Sequence, residues 1–416
     1  MKGWSVKLKI ARHLRLGSVL LEQQQYAEAL AEFQMARALN PNRPVIRLRM
    51  ANTYLKQRRY AEAIAEYQVA LRLNPLMVRP RLGLGKAYLE VRKYDEAVAQ
   101  YGAVLRFRPG LAVVHLMLGN VHLAQQRYRE AIAEYQAALR LNPKLAVAHL
   151  QLGGIYTGQR LYPEAVGAYQ GALKLNPKLA VAHLMLGNMY VEQERYLKAI
   201  AAYQAAADTN PKMAEAHLKL GAVYIGQRQY PEAAAAYQAA LKLKPKLAVA
   251  HLKLGDVYVG WKQYPEAIAA YQAAVDANPG MVEPHLKLGG VYAKQRQYPE
   301  AVVKFETALK LNPKLAVAHL NLGEIYFEQK LVAEAMMAYQ AAVRLNPKLA
   351  MAHFKLGLLY GEQGEHSEAM AEYQAALLLN PKLAMAHLML GVIYAKQGYE
   401  WEAMAEYQKA KDASAG

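Results

Sequence analysis

Residues 146–179 read AVAHLQLGGIYTGQRLYPEAVGAYQGALKLNPKL, and variants of this 34-residue phrase fill the chain. Apolar residues recur at helical spacing in two stretches, one from about Ala146 to Gln159 and one from Pro163 to Leu175. Proline suits the first turn of a helix because that turn leaves its N–H groups unpaired anyway. Glu164 in the same turn complements the positive helix end. Pro177 stops the second stretch. The phrase therefore predicts a helix, a tight turn and an antiparallel helix. Gly153 and Ala165 mark where two backbones approach, with Tyr156 and Tyr169 filling the space around them.

Working outward, Pro41, Pro75, Pro109, Pro143, Pro177, Pro211, Pro245, Pro279, Pro313, Pro347 and Pro381 fall 34 residues apart without an insertion. A fixed period of this size signals a solenoid in which each unit touches only its neighbours. The order Leu152-Gly153-x-x-Tyr156, Ala165-x-x-x-Tyr169-x-x-Ala172 and Pro177 resembles the tetratricopeptide repeat (TPR). Twelve repeats begin at 10, 44, 78, 112, 146, 180, 214, 248, 282, 316, 350 and 384. The resemblance implies an all-α fold, an α-solenoid built as a right-handed superhelix of antiparallel helix pairs. It divides the chain into a basic lead, 1–9, and a continuous array, 10–416. Within the array, repeats at 10–111 are arginine-rich, those at 112–315 regular, and those at 316–416 divergent and mildly acidic.

Composition sets limits. The chain has 416 residues, a net charge of +18 and no cysteine, so disulfides, thiolate zinc sites, cysteine nucleophiles and lipoprotein anchors are excluded. No apolar run approaches ~18 residues, the length a membrane span needs. Lys2, Lys7, Lys9, Arg12 and Arg15 interrupt the start, which lacks the features of a signal peptide. A cytoplasmic protein is the expectation.

Residues present in every repeat are expected to stack repeats. Twenty-nine of the 30 tyrosines sit at three repeat positions, which marks them as packing residues and not as stacking platforms for bases. One histidine recurs per repeat, as in His149, His183 and His217. Packed helices stand ~8–10 Å apart, whereas zinc–nitrogen bonds are about 2 Å, so neighbours in this column share no metal. No catalytic constellation, phosphate loop or metal motif is present, and no enzyme, cofactor or metal is expected. The lysines after the prolines, among them Lys144, Lys178, Lys314 and Lys348, form a row that suits either helix-end electrostatics or an acidic partner.

Function is expected where the repeats differ. By the resemblance, the first helix of each repeat lines a groove with its positions 2, 5, 6, 9, 12 and 13. Position 5 is leucine in eleven repeats, including Leu48, Leu82, Leu116 and Leu150. These residues either line an apolar groove for an amphipathic or extended segment or bury themselves between helices. The lysine–asparagine clamp for chaperone tails and the asparagine ladder of sugar transferases both fail, since position 5 holds no lysine and position 6 holds only Asn321.

Charge is the strongest irregularity. Residues 1–93 hold 18 Lys+Arg and 6 Asp+Glu, whereas residues 316–416 hold 8 and 11. Arg47 and Arg81 replace the recurrent histidine, while Arg49, Asn52, Arg79 and Lys86 fall on groove positions. Arginine favours bidentate contact with carboxylates or phosphates. These six residues form the expected docking site for the acidic or amphipathic segment of a protein partner. That makes the chain a scaffold or adaptor of the kind bacterial TPR arrays provide for complex assembly. Nucleic acid is the rival ligand, permitted by the basic first repeats. A second alternative is head-to-tail self-association through Trp401, Met404 and Tyr407 on an uncapped last helix.

Overall fold

The computed structural model describes residues 2–415, with side chains described for 6–414. Every described element is a helix, and each repeat contributes an A and a B helix. The first six repeats are α1 Lys2–Glu22 and α2 Tyr26–Leu39, α3 Pro44–Lys56 and α4 Tyr60–Leu73, α5 Val78–Glu90 and α6 Tyr94–Phe107, α7 Ala112–Ala124 and α8 Tyr128–Leu141, α9 Ala146–Gly158 and α10 Tyr162–Leu175, α11 Ala180–Glu192 and α12 Tyr196–Thr209. The next six are α13 Ala214–Gly226 and α14 Tyr230–Leu243, α15 Ala248–Gly260 and α16 Tyr264–Ala277, α17 Val282–Lys294 and α18 Tyr298–Leu311, α19 Ala316–Glu328 and α20 Val332–Leu345, α21 Ala350–Glu362 and α22 His366–Leu379, α23 Ala384–Lys396 and α24 Glu400–Ala415. The helices group into two compact units, Met1–Thr209 and Asn210–Gly416.

The helix ends follow the local chemistry. Glu164 lies in the first turn of α10 and Lys174 in its last, each where the helix dipole favours its sign. Asn176 then turns extended and its side chain accepts a hydrogen bond from the Lys178 backbone N–H at 3.0 Å. The same turn recurs at Asn142, Asn312, Asn346 and Asn380. Between A and B, position 15 is left-handed: Gln24, Arg58, Arg160 and Arg296 have φ of 63°, 60°, 59° and 59°. Only the last two repeats put glycine there, at Gly364 and Gly398.

Packing explains most of the repeated residues. Tyr67, Tyr101, Tyr135, Tyr169, Tyr203, Tyr237, Tyr271 and Tyr339 are all buried. A Cβ on Gly153 would stand 2.5 Å from the Tyr169 ring, so the glycine is what lets the two helices close on that ring. Successive repeats are stitched by a glutamine on helix B that donates to a tyrosine on the next helix A. Gln68 reaches Tyr88 at 3.0 Å, and Gln238 reaches Tyr258 at 3.0 Å. Helix α1 runs unbroken from Lys2 through the basic residues 2–9 into the first repeat.

Candidate functional site

Position 5 is packed in repeats 2 to 5, whereas Leu388, at the same position of the last repeat, is exposed. Leu48 is buried, and Leu82, Leu116 and Leu150 lie partly buried against the seams between helices. The exposed apolar column of the A helices is position 2: Val45, Val113, Val147 and Val181 in the first compact unit, and Val249, Val317, Met351 and Met385 in the second. The resemblance already placed position 2 among the groove positions, with valine recurring there; the distinction between positions 2 and 5 needs the path of the neighbouring helix.

The six polar residues of repeats 2 and 3 divide into two sets. Arg47 is bound to Glu66, 3.3 Å from one carboxylate oxygen and 3.1 Å from the other. Arg81 donates to the Pro75 carbonyl at 2.9 Å and to Gln100 at 3.4 Å. Asn52 accepts the Tyr67 hydroxyl at 2.7 Å. These three fasten helices to one another. Arg49, Arg79 and Lys86 have no side-chain hydrogen bond or ion pair among the described residues, and Arg79 and Lys86 are exposed.

The corresponding face of the second compact unit is also basic but is internally neutralised. Asp256 takes Lys253 at 3.2 Å and Lys287 at 3.1 Å. Glu324 takes Lys355 at 3.4 Å. Only Lys219, at the same repeat position as these lysines, lacks an ion-pair partner among the described residues. Two cavities open around Gly290 on this face. One, of about 440 Å3, is lined by Asp256, Val259, Tyr271 and Lys287; the other, of about 460 Å3, by Phe305, Asn321, Glu324 and Glu328.

Position 9 shows a longer rhythm. Tyr67, Tyr135, Tyr203 and Tyr271 donate to Asn52, Asn120, Asn188 and Asp256 at 2.7, 2.7, 2.8 and 2.9 Å. The repeats between them carry Lys86, Gly154, Ala222 and Gly290. Beside Gly290 the tyrosine itself becomes Phe305. Burial pushes the Tyr67, Tyr135 and Tyr271 phenols above the ordinary tyrosine value; in the intervening repeat it pushes Tyr237 up to about 12, with Asp256 adding to the effect. The alternation was readable in the sequence as a 68-residue period beneath the 34-residue one.

The histidine column is structural. His183 and His251 reach the carbonyls of Pro177 and Pro245 at 3.0 and 2.9 Å, which ties each A helix to the loop before it. Among the described residues, no three His, Asp or Glu side chains are placed to hold a metal ion. No described helix is long and apolar enough to cross a membrane. At the last repeat Trp401 is 85 % exposed, Met404 67 % and Tyr407 37 %.

Known proteins carry the same repeat. A tetratricopeptide repeat model matches residues 116–180, 184–248, 219–282, 252–306 and 286–350. A second matches 20–76 and 54–121, and a TPR repeat model matches 359–398. No curated protein matches the chain. Among solved structures, MamA is 30% identical over 39% of this chain and 94% of its own, with a TM-score of 0.36. YrrB, described as a TPR protein with an unusual peptide-binding site, is 22% identical over 44% of this chain and 95% of its own, with a TM-score of 0.40. The Cut9–Hcn1 hetero-tetramer of the APC/C is 17% identical over 97% of this chain and 94% of the matched chain, with a TM-score of 0.45.

Proposed function

Because the chain belongs to the tetratricopeptide repeat family, we propose that it is a non-enzymatic scaffold that grips an acidic segment of a partner protein on the A helices of repeats 2 and 3. One observation carries this reading: Arg49, Arg79 and Lys86 lie on adjacent repeats without a counter-charge among the described residues, while Lys253, Lys287 and Lys355, at the repeat position of Arg49 in the second compact unit, are paired with Asp256 and Glu324. Unpaired cations on a surface raise the local concentration of an acidic ligand and speed its approach. Val45, exposed on α3 itself, and Val113, exposed on α7 of the next repeat, supply apolar contact. Arg47, Arg81 and Asn52 serve this face indirectly, by fixing the helices that present it. Nucleic acid is the poorer ligand, since Tyr67 and Tyr101, the tyrosines at position 24 of these two repeats, are buried and cannot stack on bases.

The test uses a labelled peptide alternating glutamate and leucine, titrated at low salt. Reversing Arg49, Arg79 and Lys86 to Glu should weaken binding about tenfold or more, given ~0.2–1 kcal/mol per exposed pair and added repulsion. Reversing the exposed Lys144 and Lys178 should change little. Equal affinity of the triple variant and the parent would overturn the assignment, and tighter binding of single-stranded RNA than of the peptide would transfer it to the rival ligand.

A further inference from the structure

Helix α1 departs from every other A helix in the chain. It runs for 21 residues, where α3 and its counterparts run for 13. Leu8, Ala11, Arg12, Arg15, Leu16 and Val19 follow the i, i+3, i+4, i+7, i+8, i+11 spacing of one helical face. Together they line an open groove of about 590 Å3. Leu8 is 61 % exposed, Leu16 43 % and Val19 45 %. Neither Arg12 nor Arg15 has an ion-pair partner among the described residues.

The repeat itself shows what this face is shaped to receive. Arg12, Leu16 and Val19 occupy positions 3, 7 and 10. In the other eleven repeats those positions are buried, and within each compact unit the B helix of the repeat before packs against that A helix. Ile46 and Met50 pack with Phe33 and Ala36 of α2; Ala148, Leu152 and Ile155 pack with Tyr135, Ile132 and Leu139 of α8. Position 3 shares its cluster with positions 27 and 28 of that B helix, as Val114 does with Val104 and Leu105, and Ala386 with Ala376 and Leu377. Only in α1 is position 3 a cation.

We propose that this stripe docks a helix of another protein, packed on α1 as a B helix packs on the following A helix and carrying a carboxylate opposite Arg12. The incoming helix needs apolar residues at the spacing of Ile132, Tyr135 and Leu139, with the carboxylate in place of the last. The stripe from Leu8 to Val19 gives it a track about 17 Å long, at 1.5 Å per residue. A second copy of this chain fits less well. Its last helix offers Met404 and Tyr407, but position 28 is Lys411, which would bring one cation against another. Head-to-tail stacking therefore meets a charge block where partner docking meets complementarity.

The probe is a side-chain-stapled helix with the α8 sequence, Tyr128–Leu141, in which Leu139 is replaced by Glu; a matched helix carries Lys instead. The Glu helix should bind the intact chain at least tenfold more tightly than the Lys helix, and a photo-crosslinker in place of its Tyr135 should label α1. Arg12→Glu should invert that preference, and Leu16→Asp should abolish binding of both while leaving the melting curve in place. The triple reversal of Arg49, Arg79 and Lys86 should leave this binding unchanged, so the two proposals fail separately. No saturable binding at millimolar helix, crosslinks outside α1, or a preference unmoved by Arg12→Glu would overturn the inference. So would concentration-dependent self-association of the unmodified chain that Leu16→Asp removes.

Discussion

Repeats 11 and 12 solve two local problems differently from repeats 5, 9 and 10. In the last two, the seam histidine faces a carboxylate 19 residues on: His353 lies 2.6 Å from Glu372, and His387 lies against Glu406. Each also reaches a proline carbonyl, at 3.0 and 3.1 Å. In repeats 5 and 10 the carboxylate is replaced by Ala168 and Ala338, and in repeat 9 by Lys304. Burial then pushes His149, His285 and His319 below the ordinary histidine range, with Lys304 adding to the effect at His285 and Arg344 at His319. One column of identical residues is thus hydrogen-bonded to a carboxylate in repeats 11 and 12, as in repeats 1 and 4, and faces alanine or lysine in repeats 5, 9 and 10. Conserved spacing fixes where a side chain goes, and its one facing neighbour fixes what it does there.

The comparison can be broken most severely at Glu406. Burial opposes its ionisation, yet hydrogen bonds from Lys409 and His387 outweigh that and hold its carboxyl below the ordinary range. Its stabilising effect is therefore present above the unfolded carboxylate value and is lost as pH falls through the lowered folded one. Glu406→Ala strands His387 beside a vacated partner and should cost ~1–3 kcal/mol, read as a lower melting temperature at pH 7. The difference should vanish in strongly acidic buffer.

Mild acid separates the regions without mutation. A lowered histidine value means the unfolded chain binds the proton first, so stability is full above ~6.5 and declines as pH falls below it. Hydrogen exchange between pH 7 and 5 should accelerate in α9, α17 and α19 before it does in α21 and α23. Simultaneous acceleration everywhere would contradict the division.

Converting one kind of seam into the other sharpens the point. Ala168→Glu places a carboxylate at the repeat position that Glu372 and Glu406 fill, beside His149, and Gly171 leaves the imidazole room. The new pair should raise the folded value of His149, adding ~0.5–1.5 kcal/mol below the unfolded histidine value and losing it as pH rises. Thermal melts at pH 5.5 and 8 read the difference.

The smallest effect concerns the turn. Arg160 holds φ 59°, whereas Gly364 and Gly398 hold the left-handed turn of the last two repeats at 79° and 83°. Left-handed backbone costs a branched-at-Cβ or long side chain ~1–2 kcal/mol, partly offset by the unfolded freedom of glycine. Arg160→Gly should stabilise by ~0.5–1 kcal/mol in a denaturant titration.

Much of this architecture is written in the sequence because period is a local signal. The A and B helices, the Asn–Pro turns and the approach of Gly153 to Tyr169 all follow from residue spacing. Position 5 was the harder case. Leucine in a helix looks the same whether it lines a groove or a seam, and only the neighbouring helix decides, in favour of the seam for Leu48. The basic first repeats were visible as composition, but separating Arg47, tied to Glu66, from unpaired Arg49 required knowing that positions 4 and 23 face one another. The stripe on α1 was hidden because its residues match a core column; what changes its meaning is the helix that is not packed there.

The alternation at position 9 has a consequence for how such a chain is cut and spliced. Packing repeats every 34 residues, but the Tyr67–Asn52 bond returns only every 68, at Tyr135, Tyr203 and Tyr271. From repeat 2 to repeat 9 the array therefore has a grammatical unit of two words. Excising one unbonded repeat from that stretch, such as repeat 3, sets two bonded repeats side by side; excising an adjacent pair keeps the alternation.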